Sequence, residues 1–307
     1  MAEILPKYVG RLAPSPTGAL HLGNVRTFMI AWLRARKAGG RVVLRMEDLD
    51  HPKDKPGADV QAIEDLKWLG FDWDDEYVQS RRKELYRAAL EKLQAQDLVY
   101  PCVCTRKDVL AAQSAPHAGE QLYYPGTCRE KHLAWTDKAC WRFKTPEASL
   151  VEFDDVFAGR QVQNVAEKLG DFPLARDRYG AGYTLAVVVD DADMGVTEVV
   201  RGDDLLPATP AQILLQRALG LPTPEYCHVP LLVGPDGRRL AKRHGDSRIA
   251  RYRAEGMKPE EILGRLAFLS GWQEKDGPVS LPELLDAFDL TKLPHEPCQL
   301  SRFGREG

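Results

Sequence analysis

A chain of 307 residues, 44% of them apolar, is long enough for about two domains and a sizeable core. The formal net charge of -3 excludes a global basic field, so any contact with nucleic acid must come from a local patch. No stretch is apolar over the length a bilayer requires, and the start MAEILPKYVGR has no secretory apolar run, so a soluble, cytoplasmic protein without membrane contact is expected; a monomer is the separate expectation for its assembly. The six cysteines, Cys102, Cys104, Cys128, Cys140, Cys227 and Cys298, form no disulfide framework in a chain this long; metal binding or plain burial suits them better.

In chain order, residues 7–12 read as a strand and 13–23 as a loop rich in Pro, Gly, Ser and Thr. From Asn24 a helix is expected, with Val25, Phe28, Met29 and Trp32 at helical spacing and Gly39-Gly40 after its end. Residues 41–46 alternate as a strand does. Residues 60–69 read as a helix with Val60, Ile63, Leu66 and Leu69 on one face and Gly70 as its stop, and residues 84–96 as another. This order predicts a parallel sheet with crossover helices. The pattern breaks after Leu98, and residues 99–180, with their cysteines and short strands such as 139–144, read as an insert. The sheet is expected to resume at 183–190, an apolar run of buried-strand type, and at 197–201. Residues 210–219 read as a helix between Pro and Gly220, and the chain beyond Gly245 reads as helical, with Ile262, Leu263, Leu266 and Ala267 on one face and a further helix at 281–288.

The loop Ala13-Pro-Ser-Pro-Thr-Gly-Ala-Leu-His-Leu-Gly-Asn24 lies between the first strand and the first helix, where open α/β sheets bind ligands. Its small residues admit a nucleotide close to the backbone, the following helix N-terminus offers N–H groups to phosphate, and His21 can stabilise charge on an α-phosphate as pyrophosphate leaves. The string closely resembles the "HIGH" signature of class I aminoacyl-tRNA synthetases, in the form used by the glutamyl and glutaminyl group. Arg239-Leu-Ala-Lys-Arg243, after Gly234-Pro-Asp-Gly237, resembles that class's mobile "KMSKS" loop, although Arg239 stands at the usual first Lys and Ala241 at the usual Ser. The resemblance spans residues 8–243. It implies ATP binding by Thr17, His21, Gly23, Asn24 and Lys242, with His21 and Lys242 catalytic and Mg2+ accompanying ATP.

A glutamate site needs a guanidinium for the side-chain carboxylate and an acid for the ammonium. Arg11, Glu47, Tyr183 and Arg201 all fall near expected strand ends; taken singly, Glu47 and Arg201 would more often be structural ion pairs. By their match to the glutamyl pattern, Arg11, Leu12, Ala13, Pro14, Ser15, Glu47, Tyr183 and Arg201 are the implied glutamate-binding set; charge logic alone leaves glutamine open.

Cys102-Val-Cys104 and Tyr124-Pro-Gly-Thr-Cys128 supply three thiols to a zinc site that wants four ligands, with Tyr124, His132, Cys140 and His117 as candidates for the fourth. The Cys-x-Cys and Tyr-x-x-x-Cys arrangement resembles the structural zinc site of one glutamyl branch, which implies Cys102, Cys104, Tyr124 and Cys128. Only about sixty residues follow the Lys242 loop, too few for a substantial anticodon-binding domain. The chain therefore resembles most the short glutamyl-queuosine branch, whose members place glutamate on the queuosine base of tRNA(Asp). The expected fold is α/β: a Rossmann-like class I catalytic domain in two halves (1–98 and 181–244), an inserted α+β acceptor-type domain carrying zinc (99–180), and a helical stem-contact region (245–307). The basic cluster Arg238, Arg239, Lys242, Arg243, His244, Arg248, Arg251 and Arg253 becomes a candidate tRNA contact, against the plainer reading of a solvated face.

Overall fold

The computed structural model describes residues 8–16, 18–49, 55–111, 122–178, 180–238, 240 and 247–300. Strand β1 (Val9–Leu12) leads through the signature loop into α1 (Leu22–Lys37), then β2 (Arg41–Met46), α2 (Ala58–Trp68), β3 (Asp75–Val78) and α3 (Lys83–Ala95). β1, β2 and β3 pair in parallel, with Arg11 beside Val43 and Val43 beside Asp75. α1 begins two residues earlier than its apolar spacing suggests because His21 caps it. In α2, Val60 faces solvent at 56% exposure, and Ala62, Asp65 and Leu66 form the buried side instead. Glycines end two helices as expected: Gly70 after α2 and Gly220 after α7 (below) both adopt positive φ, a region that costs other residues a Cβ clash.

Next come β4 (Val99–Cys102), α4 (Arg106–Ala111), β5 (Cys140–Phe143), β6 (Leu150–Asp155), β7 (Gly159–Asn164), α5 (Val165–Lys168) and β8 (Pro173–Ala175). β4, β5 and β8 make a small antiparallel sheet. The hairpin β6–β7 does something the sequence does not announce: β6 lies parallel to β10 (below) and extends the second main sheet.

Residues 183–190, expected as a strand, form helix α6 (Tyr183–Asp193). A short apolar run buried all round carries no periodicity, and here helical packing decides the matter. Every residue from Leu185 to Asp191 is buried, and Asp190 is bonded by Gln79, Arg82 and Tyr86. β9 (Glu198–Gly202), α7 (Thr209–Leu219) and β10 (Glu225–Val229) follow, then β11 (Leu232–Val233), α8 (Ile249–Ala254), α9 (Pro259–Leu269), α10 (Leu281–Ala287) and β12 (Cys298–Gln299). β9 pairs with β10 in parallel, with Arg201 beside His228. β9 also runs alongside β1, where the Thr197 N–H donates to the Val9 carbonyl at 2.9 Å and the Val9 N–H donates to Thr197 Oγ1 at 2.9 Å. The strand order thus reverses between β1 and β9, the switch point at which such sheets open a ligand crevice. From α8 onward the chain packs onto α1: Ile249, Tyr252, Leu263, Trp272 and Leu284 share one core with Leu22, Val25, Met29 and Leu33, and β12 returns to pair with β11. Among the described residues no helix is long and apolar enough to cross a membrane.

Candidate active site

A cavity of about 460 Å³ opens at the β1/β9 switch point. Arg11, Ala13, Ser15, His21, Gly23, Asn24, Glu47, Tyr183 and Arg201 line it, so residues from five separate segments meet there. Leu12 is fully buried in β1, and Pro14 accepts the Glu47 N–H through its carbonyl at 2.9 Å; both shape the site from behind and are not among its lining. Tyr183 opens α6 and stays exposed. Thr17 and Lys242 lie outside the described residues. On either side of 241–246, Leu240 lines the cavity, the Leu22 N–H donates to the Ser247 carbonyl at 3.1 Å, and the Ile249 N–H donates to the Leu20 carbonyl at 2.9 Å.

His21 holds an unexpected post. Its Nδ1 accepts the N–H groups of Gly23 (3.1 Å) and Asn24 (3.3 Å), and Asn24 Oδ1 accepts the His21 N–H at 3.3 Å. The amides at the start of α1 that the sequence offers to phosphate are therefore already bonded, by His21 and by Ser247. With Nδ1 an acceptor, the neutral ring carries its proton on Nε2, which makes His21 a hydrogen-bond donor from that edge.

Behind the cavity sits a charge network that sequence reasoning missed. Arg45, fully buried, donates to Glu47 Oε1 at 3.0 Å and to Asp191 Oδ1 at 2.6 Å. Arg11 donates to the Val200 carbonyl at 2.6 Å; its Nε makes no hydrogen bond and lies 3.9 Å from Asp191 Oδ1. Burial raises the Glu47 carboxyl above its ordinary range, with Arg45 and Arg11 opposing. An arriving ammonium group would favour its charged form. Burial likewise lowers Arg11, against the pull of Asp191. Arg201 is buried on β9. Its Nε donates to His228 Nε2 at 2.9 Å, and its Nη2 donates to Thr209 Oγ1 and Gln212 Oε1, both at 2.8 Å. Every one of these acceptors is neutral when His228 is, and none is a carboxylate. Thr27, Phe28, Val200, Gly202, Asp204, Leu205, Leu231, Leu232 and Leu240 complete the lining; only the position of the last four near strand or loop ends could have flagged them.

The model of a family described as tRNA synthetases class I (E and Q), catalytic domain, matches residues 7–299. The chain belongs to this family. Among similar synthetases, the glutamyl-Q tRNA(Asp) synthetase of Symbiobacterium thermophilum is 50% identical over 95% of this chain and 95% of its own length. The glutamate–tRNA ligase of Aquifex aeolicus is 40% identical over 97% of this chain but only 65% of that longer protein. The crystal structure of a glutamate tRNA ligase from Elizabethkingia meningosepticum, in complex with its amino acid, superposes with a TM-score of 0.82 at 28% identity, covering 96% of this chain and 67% of that one. The Rossmann-like class I catalytic fold expected from the signature loop is thereby established.

The synthetase also gathers its cysteines. The Sγ atoms of Cys102, Cys104 and Cys128 lie within 4.8 Å of one another, with Cys104 and Cys128 3.5 Å apart. Tyr124 Oη stands among them, 3.1 Å from Cys102 Sγ and 3.6 Å from Cys104 Sγ. These spacings approach the edge of a zinc–thiolate tetrahedron, about 3.7 Å for Zn–S bonds of about 2.3 Å. Cys140 pairs with Cys102 across β4 and β5 and stays outside the triad. His132 does not join the group, and His117 lies outside the described residues. All six cysteines are free thiols. Of the basic cluster, Arg251 donates to Glu255 at 2.6 Å and Arg253 stacks over Trp68; Arg239, Lys242, Arg243 and His244 lie outside the described residues.

Proposed function

We propose that this protein activates L-glutamate with ATP, supplied as its Mg2+ complex, and transfers the glutamyl group to the queuosine base in the anticodon of tRNA(Asp). The observation that carries the choice of acid is Arg201, a buried guanidinium whose hydrogen-bond acceptors among the described residues are a neutral imidazole, a hydroxyl and an amide, and which lines the same cavity as His21. Its unneutralised charge calls for a second carboxylate on the ligand. Arg11, Leu12, Ala13, Pro14, Ser15, Glu47 and Tyr183 complete the amino-acid site, with Glu47 receiving the ammonium. Thr17, His21, Gly23, Asn24 and Lys242 serve ATP. The glutamate α-carboxylate attacks the α-phosphorus, the bond to the β-phosphate breaks, and pyrophosphate leaves; His21 and Lys242 hold the charge that develops. A hydroxyl of the queuosine cyclopentenediol then attacks the activated carbonyl carbon and AMP departs. The acceptor rests on the relatives that carry the glutamyl-Q name at near-complete length.

Pyrophosphate exchange tests the first half. Glutamate should support exchange and glutamine should not, and Arg201→Gln should raise the glutamate KM about 100-fold, the equivalent of a charged hydrogen bond of about 3 kcal/mol. Equal exchange with glutamine would contradict the reading.

Cys102, Cys104, Cys128 and Tyr124 hold a structural zinc in the 99–180 segment, which we assign as an acceptor-type insert, and 245–307 as the stem-contact region. Zinc there would tie α4 and the loop before β5 to β4. Purified protein should contain about one zinc per chain, and Cys128→Ser should lose it and melt earlier. A metal-free protein with all thiols titratable would remove zinc from the account.

A further inference from the structure

We propose that His228 and Asp155 are positioning residues for Arg201, so that the hairpin β6–β7 takes part in recognising the amino acid. This rests on the glutamate-site reading above. Arg201 and His228 are register partners on parallel strands β9 and β10, so their side chains leave the sheet on the same face. The Arg201 Nε–H donates to His228 Nε2 at 2.9 Å, which obliges that nitrogen to accept. The ring proton then belongs on Nδ1, where Asp155 Oδ2 accepts it at 2.6 Å. Both His228 and Asp155 are buried. Burial holds the imidazole below its ordinary pKa, with the hydrogen bond to Asp155 opposing, and this favours the neutral ring.

Asp155 is itself held firmly. It takes the backbone N–H of His228 at 3.1 Å, of Phe157 at 3.1 Å and of Ala158 at 2.8 Å, at the turn of the hairpin. Burial would raise its pKa, but the hydrogen bonds from His228 and these amides outweigh burial and keep it ionised. A carboxylate fixed by a hairpin turn thus selects one imidazole tautomer. That tautomer fixes one edge of the guanidinium while leaving its positive charge for the ligand. A carboxylate in direct contact with Arg201 would consume that charge, and a protonated ring would repel it.

The test separates the two ring nitrogens by exchange kinetics. His228→Asn retains a group near Nδ1 and loses the acceptor for Arg201, whereas His228→Gln places an amide oxygen near Nε2. His228→Asn should raise the glutamate KM about 10-fold, with the ATP KM unchanged, and His228→Gln should restore most of the loss. Asp155→Asn should also raise the glutamate KM, which covers the case of a His228 variant that folds poorly. If Arg201→Gln raises the glutamate KM while His228→Asn and Asp155→Asn leave it unmoved, or shift both KM values together, the positioning role is overturned and the glutamate site stands. If Arg201→Gln itself has no effect on the glutamate KM, the glutamate site falls and takes this inference with it.

Discussion

Asp191→Ala should destabilise the protein by about 3–5 kcal/mol, a large part of the ~5–15 kcal/mol that holds a typical domain folded. Asp191 is buried, accepts from Arg45 at 2.6 Å and stands 3.9 Å from Arg11 Nε, so it serves two guanidiniums at once. Its removal leaves Arg45 with Glu47 as its nearest counter-charge and Arg11 with no nearby carboxylate contact at its Nε. Leaving a buried charge uncompensated costs more than a paired charge contributes. Asp191→Asn keeps the shape and an acceptor oxygen and should lose less. Urea unfolding reads both: the midpoint should fall in the order wild type, Asn, Ala with an unchanged slope. A loss below about 1 kcal/mol for alanine would place the network in the class of solvated surface pairs.

The second large effect concerns His21, which has two functions that substitution can separate. His21→Ala should lower the rate of adenylate formation about 100- to 1000-fold, the range for removing one donor aimed at developing charge. It should also cost about 1 kcal/mol of stability, because the ring caps α1 through Gly23 and Asn24. His21→Asn supplies a good capping side chain without the imidazole donor. It should recover the stability and leave the rate low, with the glutamate KM unchanged in both variants. Single-turnover adenylate formation alongside thermal melting distinguishes these outcomes. An asparagine variant with near-normal rate would assign His21 to the helix alone.

The two variants also show what the sequence could and could not convey. The loop 13–24 announces its family and its place between β1 and α1, because small residues, glycines and a histidine in that order leave few alternatives. The capping role of His21 depends on a side-chain rotamer and is invisible in the string. Arg11, Glu47 and Arg201 could be named from their positions near strand ends. Arg45, Asp155, Asp191 and His228 could not, because the pairs Arg45–Asp191 and Asp155–His228 join residues far apart in the chain. The run 183–190 misleads for a related reason: β-branched residues and continuous burial from Leu185 suit a central strand as well as a central helix. The register that sets Arg201 beside His228 and carries the β6–β7 hairpin onto β10 is a property of the sheet, and no local pattern encodes it.

The most direct test of the whole account is transfer of radiolabelled glutamate by the purified protein, with ATP and Mg2+, to three acceptors: tRNA(Asp) bearing queuosine, tRNA(Asp) lacking it, and tRNA(Glu). The account predicts label on the queuosine-bearing tRNA(Asp) alone. Label on tRNA(Glu), or on tRNA(Asp) without queuosine, would contradict it.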